Sequence, residues 1–308
     1  MSQTESPIDE RLGGRGFLAW AFSLSRRGPG TIAGRRRANW LVVVTGAVLV
    51  GSVLLAFVGS HFLADPNKQN LIESFSPPSL HHHLFGTDDL GRDFLARVVA
   101  GAKTTLTIAV IADVLVLAIG VTVGTAAALA GGVVEEIIMR FVDLVYSLPG
   151  LLMTLVIVFV LGPSAHSVVI ALVVDGWLVF ARLAHGLTKT LRRSAFVEFA
   201  RISGAKRWRV VRSHVLPHLA SPVLTVATLE LARLALAEST LSFLGLGVQP
   251  PAVSLGMLLE AGENNMAVAW WLVTLPGLYL VLIILSANVL ASWVRIASDP
   301  LQAGVVDV

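Results

Sequence analysis

Six long apolar segments, separated by more polar ones, set the architecture that this chain can adopt. A helix needs about 20 predominantly apolar residues to cross the hydrocarbon core of a bilayer. We therefore expect an all-α integral membrane protein, with a kink at Pro149 and Gly150 inside the third span. The six predicted spans are residues 40–63, 104–130, 137–161, 168–187, 222–248 and 268–296.

The composition agrees with a membrane protein. Only 14% of the 308 residues are charged and 55% are hydrophobic, whereas a soluble domain has about 25% charged residues. The chain contains no cysteine, which excludes disulfides, thiolate metal sites and cysteine nucleophiles. The formal net charge is +3, but the basic residues gather at the ends of apolar segments. We therefore expect contact with membrane lipid and not with nucleic acid.

The distribution of basic residues indicates which ends of the helices face the cytoplasm. Arg35 to Arg37 precede the first span, residues 185–214 contain eight Lys and Arg against one acid, and residues 249–267 contain no Lys or Arg. This bias predicts that both termini are cytoplasmic. We expect a tail over residues 1–39, a membrane domain over 40–300 and a second tail over 301–308. In the first tail, residues 17–24 form either an interfacial helix or part of a disordered segment.

Motifs for catalysis and nucleotide binding are not found in the sequence. The segment GAKTT (101–105) lacks the glycine that precedes the lysine in a phosphate-binding loop, and it leads into an apolar helix. Neither His-Glu-x-x-His nor Gly-x-Ser-x-Gly occurs. Three adjacent histidines, His81 to His83, cannot easily converge on one ion. We expect a protein without catalytic activity or a bound metal of its own.

A basic segment, EFARISGAKRWRVVRSHVLPH (198–218), stands out in this apolar chain. Ser194 can cap a helix before it, and Gly204 permits a tight turn. Residues 206–215 would then form a second short helix that ends at Leu216 and Pro217. Two such helices would give a soluble partner a rigid surface. On charge alone, a loop that contacts only lipid headgroups explains the segment equally well.

The spacing within this segment closely resembles the EAA loop of permease subunits of bacterial ABC importers. That pattern is Glu-Ala-Ala, three residues, Gly, nine residues, then Ile-x-Leu-Pro, from which Phe199 and His214 depart. The resemblance implies that residues 198–217 couple the permease to ATPase subunits. The residues implied in this coupling are Glu198, Ala200, Gly204, Lys206, Arg207, Trp208, Leu216 and Pro217.

Four further segments are similar to C-type permeases of dipeptide and oligopeptide importers: residues 83–106, 131–149, 237–251 and 276–290. The resemblance covers about residues 40–300, although Ser292 and Trp293 stand where an acidic residue is usual. It implies a type I ABC importer permease fold in the bacterial inner membrane. It also implies a sister permease, two ATPase subunits or a fused pair that hold ATP and Mg, and an extracytoplasmic peptide-binding protein.

The binding protein is expected to contact the outer mouth of the permease, at Gly86, Asp88, Asp89, Arg92, Gln249 and Pro250. Two alternatives to peptide import stay open at this point. One is a permease of the same family for nickel or another small solute. The other is a stand-alone secondary transporter or channel, although the paired broken helices of such carriers are not evident here.

Five ionisable residues lie inside the predicted spans: Asp113, Asp175, Glu230, Arg233 and Glu238. A charge at the centre of a bilayer costs roughly 2.5–3.5 kcal/mol and therefore usually faces a partner or a cavity. Glu230 and Arg233 are three residues apart on one helix face, so they can pair. Either these groups neutralise one another within the chain, or Asp175, Glu230, Arg233 or Glu238 faces a translocation path. Gly120 and Gly124 are spaced for close helix packing.

Overall fold

The computed structural model describes residues 32–79, 83–194 and 211–297, and helices dominate these ranges. The isolated bridge between Thr87 and Asp93 is their one β-type pairing. The α-helices are α1 (Ile32–Phe57), α2 (Phe94–Ala130), α3 (Gly132–Tyr146), α4 (Gly150–Leu161), α5 (Ala165–Arg192), α6 (Leu216–Phe243), α7 (Leu255–Glu263) and α8 (Trp271–Ala297). Short 3-10 turns occur at Gly59–His61 and Leu71–Glu73, and a π-helical turn occurs at Val211–Val215. The all-α prediction is confirmed for this part of the chain.

Membrane-spanning helices can be recognised by length and composition. In the described ranges, α2, α5, α6 and α8 are long and apolar enough to cross a bilayer. The pair α3 and α4 makes a fifth candidate if it is counted as one broken span, whereas the apolar part of α1, Val43–Phe57, is shorter than a span. Four or five of the six predicted spans are therefore visible among these helices.

The helices extend beyond the apolar stretches that predicted them. Helix α2 begins ten residues before residue 104, because the Asp93 carboxylate accepts a hydrogen bond from the Ala96 amide at 2.9 Å and caps the helix. Helix α5 begins at Ala165, where the Ser164 hydroxyl accepts from the Ser167 amide at 3.1 Å. Capping side chains, and not hydropathy, thus set these two starts.

The predicted third span is two helices and not one kinked helix. Helices α3 and α4 are bent by 86° relative to each other at residues 147–149. Pro149 precedes α4 with an extended backbone (φ −63°, ψ 113°). Because proline has no amide hydrogen and its ring clashes with the preceding turn, a helix cannot pass through it without distortion. The position of the predicted kink is confirmed, but its extent is larger than expected.

The prediction that Leu216 and Pro217 end a helix is wrong. Leu216 is the first residue of α6, which follows directly from the π-helical turn at Val211–Val215. Pro217 occupies the first turn of α6, where no intrahelical donor is needed. Residues 198–210 of the predicted coupling segment, which include Glu198, Ala200, Gly204 and residues 206–208, lie outside the described residues.

Close packing between α2 and α5 organises the centre of the chain. A Cβ atom on Gly120 would lie 2.4 Å from the Trp177 carbonyl oxygen, and one on Gly124 would lie 2.1 Å from the Ala181 carbonyl oxygen. Only glycine permits this approach, which confirms the packing role predicted from the Gly-x-x-x-Gly spacing. One apolar core lies around α2, α5 and α6, and a second joins α2 to α7 and α8.

Candidate functional site

A cluster of charged side chains lies between α5 and α6, within the membrane-spanning part of the chain. The Arg233 Nη1 atom donates to Asp175 Oδ2 at 2.8 Å. The Nε and Nη2 atoms of the same guanidinium group lie 2.8 and 2.6 Å from Glu230 Oε1. The pairing of Glu230 with Arg233, predicted from their spacing, is confirmed. Asp175 is a second partner, 58 positions away along the chain.

The members of this cluster differ in their exposure. The side chain of Glu230 is 6% exposed and that of Asp175 is 14% exposed, whereas Arg233 is 41% exposed. Asp113 on α2 lies close enough to Glu230 for the two carboxyl groups to interact, and its buried Oδ1 has no hydrogen-bond partner among the described residues. The cluster therefore contains three acidic groups and one guanidinium group, of which Glu230 and Asp175 contact the guanidinium group directly.

The open side of the cluster faces a cavity of about 330 Å³. Asp175 and Arg233 line it together with residues from both sides of the break between α3 and α4, namely Val145, Tyr146, Leu148, Gly150 and Leu151. A Cβ atom on Gly150 would lie 2.4 Å from Asp175 Oδ1, so a larger residue at the start of α4 would have to displace this carboxylate. The break in the predicted third span thus creates the space beside the charges.

Glu238 lies apart from the other three predicted path residues. It is fully buried, and its carboxylate accepts hydrogen bonds from Ser242 Oγ at 2.7 Å and Ser239 Oγ at 3.3 Å. Thr105 on α2 and Ser254 before α7 also interact with it. In this structure Glu238 joins three elements of the chain to one another and does not line the cavity beside Arg233.

The predicted binding-protein contact lies on a folded loop, in which Asp88 is the central residue. Asp88 Oδ2 lies 2.6 Å from Arg92 Nε and 2.9 Å from Arg97 Nη1. Its Oδ1 accepts hydrogen bonds from the amides of Leu90 and Arg92. Arg97, 3% exposed, was not among the residues predicted from sequence, because an arginine at the start of an apolar helix gives no sign of its distant partner.

Gly86 also serves the shape of this loop. It has a positive φ of 73°, and a Cβ atom there would lie 2.7 Å from the Ser76 carbonyl oxygen. The Trp271 Nε1 atom donates to the adjacent Thr87 carbonyl at 3.1 Å, which attaches the loop to α8. Gly86 and Asp88 are buried, whereas Asp89, Gln249 and Pro250 are exposed and Arg92 is partly exposed. Contact with a binding protein remains a prediction for Asp89, Arg92, Gln249 and Pro250, which reach the surface.

His83 lies between two carboxylates in the same loop. Its Nδ1 atom is 2.8 Å from Asp93 Oδ2 and its Nε2 atom is 3.0 Å from Glu73 Oε2. Hydrogen bonds to Asp93 and then to Glu73 raise the pKa of His83 above its ordinary value. His81 and His82 lie outside the described residues, and no group of metal-ligating side chains is found in the ranges that the structure covers.

Comparisons with known proteins place these features in context. Residues 120–299 match the family model described as "Binding-protein-dependent transport system inner membrane component". The chain is 32% identical over 265 residues to the probable D,D-dipeptide transport system permease protein DdpC of Escherichia coli K12, covering 85% of this chain and 89% of that protein. It is 33% identical over 267 residues to the oligopeptide transport system permease protein OppC of Bacillus subtilis, covering 86% of this chain and 87% of that protein.

Solved structures with the same fold include the inward-facing MetNI methionine ABC transporter. The superposition has a TM-score of 0.56 at 17% sequence identity and covers 67% of this chain and 98% of the other. At that identity the likeness concerns the fold.

Proposed function

Because this chain belongs to the binding-protein-dependent transport system inner membrane component family, we propose that it is the C-type permease subunit of an ATP-driven importer of dipeptides or oligopeptides. One observation carries the choice of substrate. Relatives named as dipeptide, D,D-dipeptide and oligopeptide permeases match more than four fifths of this chain at 32–33% identity. The same relatives support its assignment as a non-catalytic subunit.

The proposed assembly follows from the family. The chain pairs with a sister permease, receives peptide from an extracytoplasmic binding protein and is driven by two ATPase subunits that hold ATP and Mg. We assign six spans, with α1 as the first and both termini in the cytoplasm. The basic residues at the end of α5, Lys189, Arg192 and Arg193, support this orientation.

The proposed translocation path passes the cavity beside Asp175 and Arg233. Charged groups inside a membrane protein usually face a cavity or a partner, and here the partly exposed members of the cluster face an open space. A zwitterionic peptide would meet both a carboxylate and a guanidinium group at this place. Glu230, behind them, would hold Arg233 in position.

Helix α6 gives the proposed coupling segment a direct connection to this cavity. The segment ends at Pro217, in the first turn of α6, and the same helix carries Glu230 and Arg233. Pro217 and Arg233 are separated by about 24 Å at 1.5 Å per residue. A displacement of the segment by the ATPase would therefore move the charged cluster through one continuous helix.

Uptake of a labelled dipeptide into vesicles that contain the complete complex tests this proposal. We expect uptake that requires ATP in the compartment of the ATPase subunits and requires the binding protein on the other side. Import of nickel without peptide would contradict the substrate, and uptake without ATP would contradict the whole assignment.

Two variants test whether residues 198–217 couple uptake to the ATPase subunits or are needed only for folding and assembly. Gly204→Asp should abolish ATP-driven uptake while the complex still assembles, because the family pattern requires glycine in the coupling segment. Gly186→Ala is the matched control, since a Cβ atom on Gly186 would meet no atom within 4 Å. Normal uptake by Gly204→Asp would show that the coupling segment is wrongly assigned.

Asp175→Asn tests the path. It removes one charge at the cavity and leaves the buried pair of Glu230 and Arg233 in place. We expect slower uptake at unchanged assembly and unchanged basal ATP hydrolysis. Uptake equal to wild type would place the path elsewhere.

A further inference from the structure

A second cluster of charged groups lies at the ends of the helices, away from the cavity beside Arg233. It surrounds a cavity of about 330 Å³ where α2 ends, α3 begins and α5 ends. We call it the basic pocket, and the residues that line it are Gly131, Gly132, Glu135, Lys189, Arg192 and Arg193. Three of these side chains are basic and one is acidic, so the pocket has a formal charge of +2.

The single acidic group in the basic pocket is already neutralised. Glu135 Oε1 lies 2.7 Å from Lys189 Nζ and 2.8 Å from His185 Nε2. These contacts take up the charge of Glu135 and leave the two arginines without a carboxylate partner in the pocket. The guanidinium group of Arg192 donates to the Ala128 carbonyl at the end of α2, which fixes its position without neutralising it.

Arg193 distinguishes this pocket from the neighbouring ion pairs. Its side chain is exposed and has no hydrogen bond or ion pair with any described residue. Nearby, Arg182 pairs with Asp143 at 2.7 Å and Arg140 pairs with Glu136 at 3.6 Å. Among these basic groups of α3 and α5, the positive charge that is not compensated by a carboxylate is therefore concentrated at Arg192 and Arg193.

The backbone of the pocket also suits an anion. Gly131 and Gly132 have positive φ values of 71° and 58°, which turn the chain sharply from α2 into α3. Gly132 lines the pocket as the first residue of α3, and the first amide groups of a helix have no intrahelical acceptors. No side chain at positions 131 and 132 obstructs the approach of a ligand to the arginines.

We propose that the basic pocket binds a phosphate group, and that an anionic phospholipid supplies it. The pocket lies where α2 ends, α3 begins and α5 ends, on the side that the proposed topology assigns to the cytoplasm, and basic pockets between helices on that side of a membrane are suited to such headgroups. A volume of about 330 Å³ admits a phosphate group with its glycerol. Lipid binding in this pocket would depend on the fold and not on which substrate the protein transports.

Native mass spectrometry of the purified full-length chain tests this proposal. The probes are dioleoylphosphatidylglycerol, dioleoylphosphatidylcholine and inorganic phosphate, each added to delipidated protein. We expect phosphatidylglycerol to be retained over phosphatidylcholine. In Arg193→Gln its affinity should fall about fivefold, because one basic residue near a membrane surface contributes roughly that factor.

Arg140→Gln is the matched control, since it removes the same charge from α3, the helix that begins at the basic pocket, but from a residue that does not line the pocket. Its lipid binding should equal that of wild type. If inorganic phosphate binds in a way that depends on Arg193 and lipid does not bind, the pocket is a phosphate site whose ligand is a soluble phosphate, and the assignment to a phospholipid is overturned. Equal retention of phosphatidylglycerol by wild type, Arg193→Gln and Arg140→Gln would overturn the proposal. None of these outcomes depends on peptide uptake.

Discussion

Replacement of Arg233 by methionine tests how the intramembrane cluster is held together. The substitution keeps a flexible, unbranched side chain, though a shorter one, and removes the only base within hydrogen-bonding distance of Glu230 and Asp175 in the described structure. Glu230, 6% exposed, then keeps a buried carboxyl group whose remaining neighbour Asp113 is also acidic. We expect a large loss of stability from this single change.

The two ion pairs of Arg233 differ in what their loss should cost. An unpaired carboxylate at the buried position of Glu230 should cost about 3–5 kcal/mol. The contact with Asp175 involves an arginine that is 41% exposed, so solvent screening reduces its contribution to about 1 kcal/mol or less. Asp175→Asn should therefore be mild, whereas Arg233→Met should lower the thermal unfolding midpoint by on the order of 10 °C.

A double variant separates the loss of an attraction from the exposure of a buried charge. In Glu230→Leu/Arg233→Met both members of the buried pair are replaced by apolar groups, and such replacements are often close to neutral. We expect the double variant to recover most of the stability that Arg233→Met loses. The measurement is the thermal midpoint of the purified complex in detergent, followed by tryptophan fluorescence.

Two results would refute this reasoning. A midpoint for Arg233→Met within experimental error of wild type would mean that Glu230 is solvated or protonated without its partner. A double variant as unstable as the sum of its single changes would mean that the side chains act by packing and not by charge.

Three further predictions concern the rest of the chain. Gly124→Ala should lower the thermal midpoint, because its Cβ atom would lie 2.1 Å from a carbonyl oxygen of α5 and such overpacking costs about 1–3 kcal/mol of stability; Gly186→Ala, in open space, should leave the midpoint unchanged or raise it. The raised pKa of His83 means that its ion pairs stabilise the loop fully below its ordinary pKa of 6.5 and lose that contribution as the pH rises through the folded-state value. His83→Gln should therefore flatten the decline of the midpoint with rising pH, and an unchanged profile would contradict this. Glu238→Leu should be less stable than Glu238→Gln by about 1–3 kcal/mol, since only glutamine can still accept from the Ser242 hydroxyl; equal midpoints would show that these hydrogen bonds contribute little.

The features that sequence predicted correctly depend on short-range physical requirements. A bilayer demands long apolar helices, which α2, α5, α6 and α8 provide. The pairing of Glu230 with Arg233 follows from helix geometry alone, since residues three apart share a face. The close approach at Gly124 follows from the Gly-x-x-x-Gly spacing. The partner in the first case is membrane lipid, in the second a residue of the same helix, and in the third the backbone of a neighbouring helix.

Two kinds of feature were not predictable from local sequence: contacts between residues that are far apart in the chain, and helix boundaries at residues that can either end or begin a helix. Nothing near Asp175 in sequence indicates that its partner is Arg233 on another helix. Leu216 and Pro217 were expected to end a helix because proline stops a preceding helix, yet proline is equally suited to the first turn of a new one. Local sequence could not decide between these two uses, since the choice depends on how the chain continues into α6.

The loop that contains Asp88 shows why a resemblance to a family does not assign roles to single residues. Gly86 and Asp88 belong to a stretch that resembles peptide permeases, and they were expected to contact a binding protein. Both are buried, and Asp88 holds the loop together through Arg92 and Arg97. One motif can contain residues that shape a loop and residues that contact a partner. A single sequence does not show which of the two roles each residue has. Exposure separates them: Asp89, Gln249 and Pro250 are exposed, and contact with a binding protein stays a prediction for these three positions.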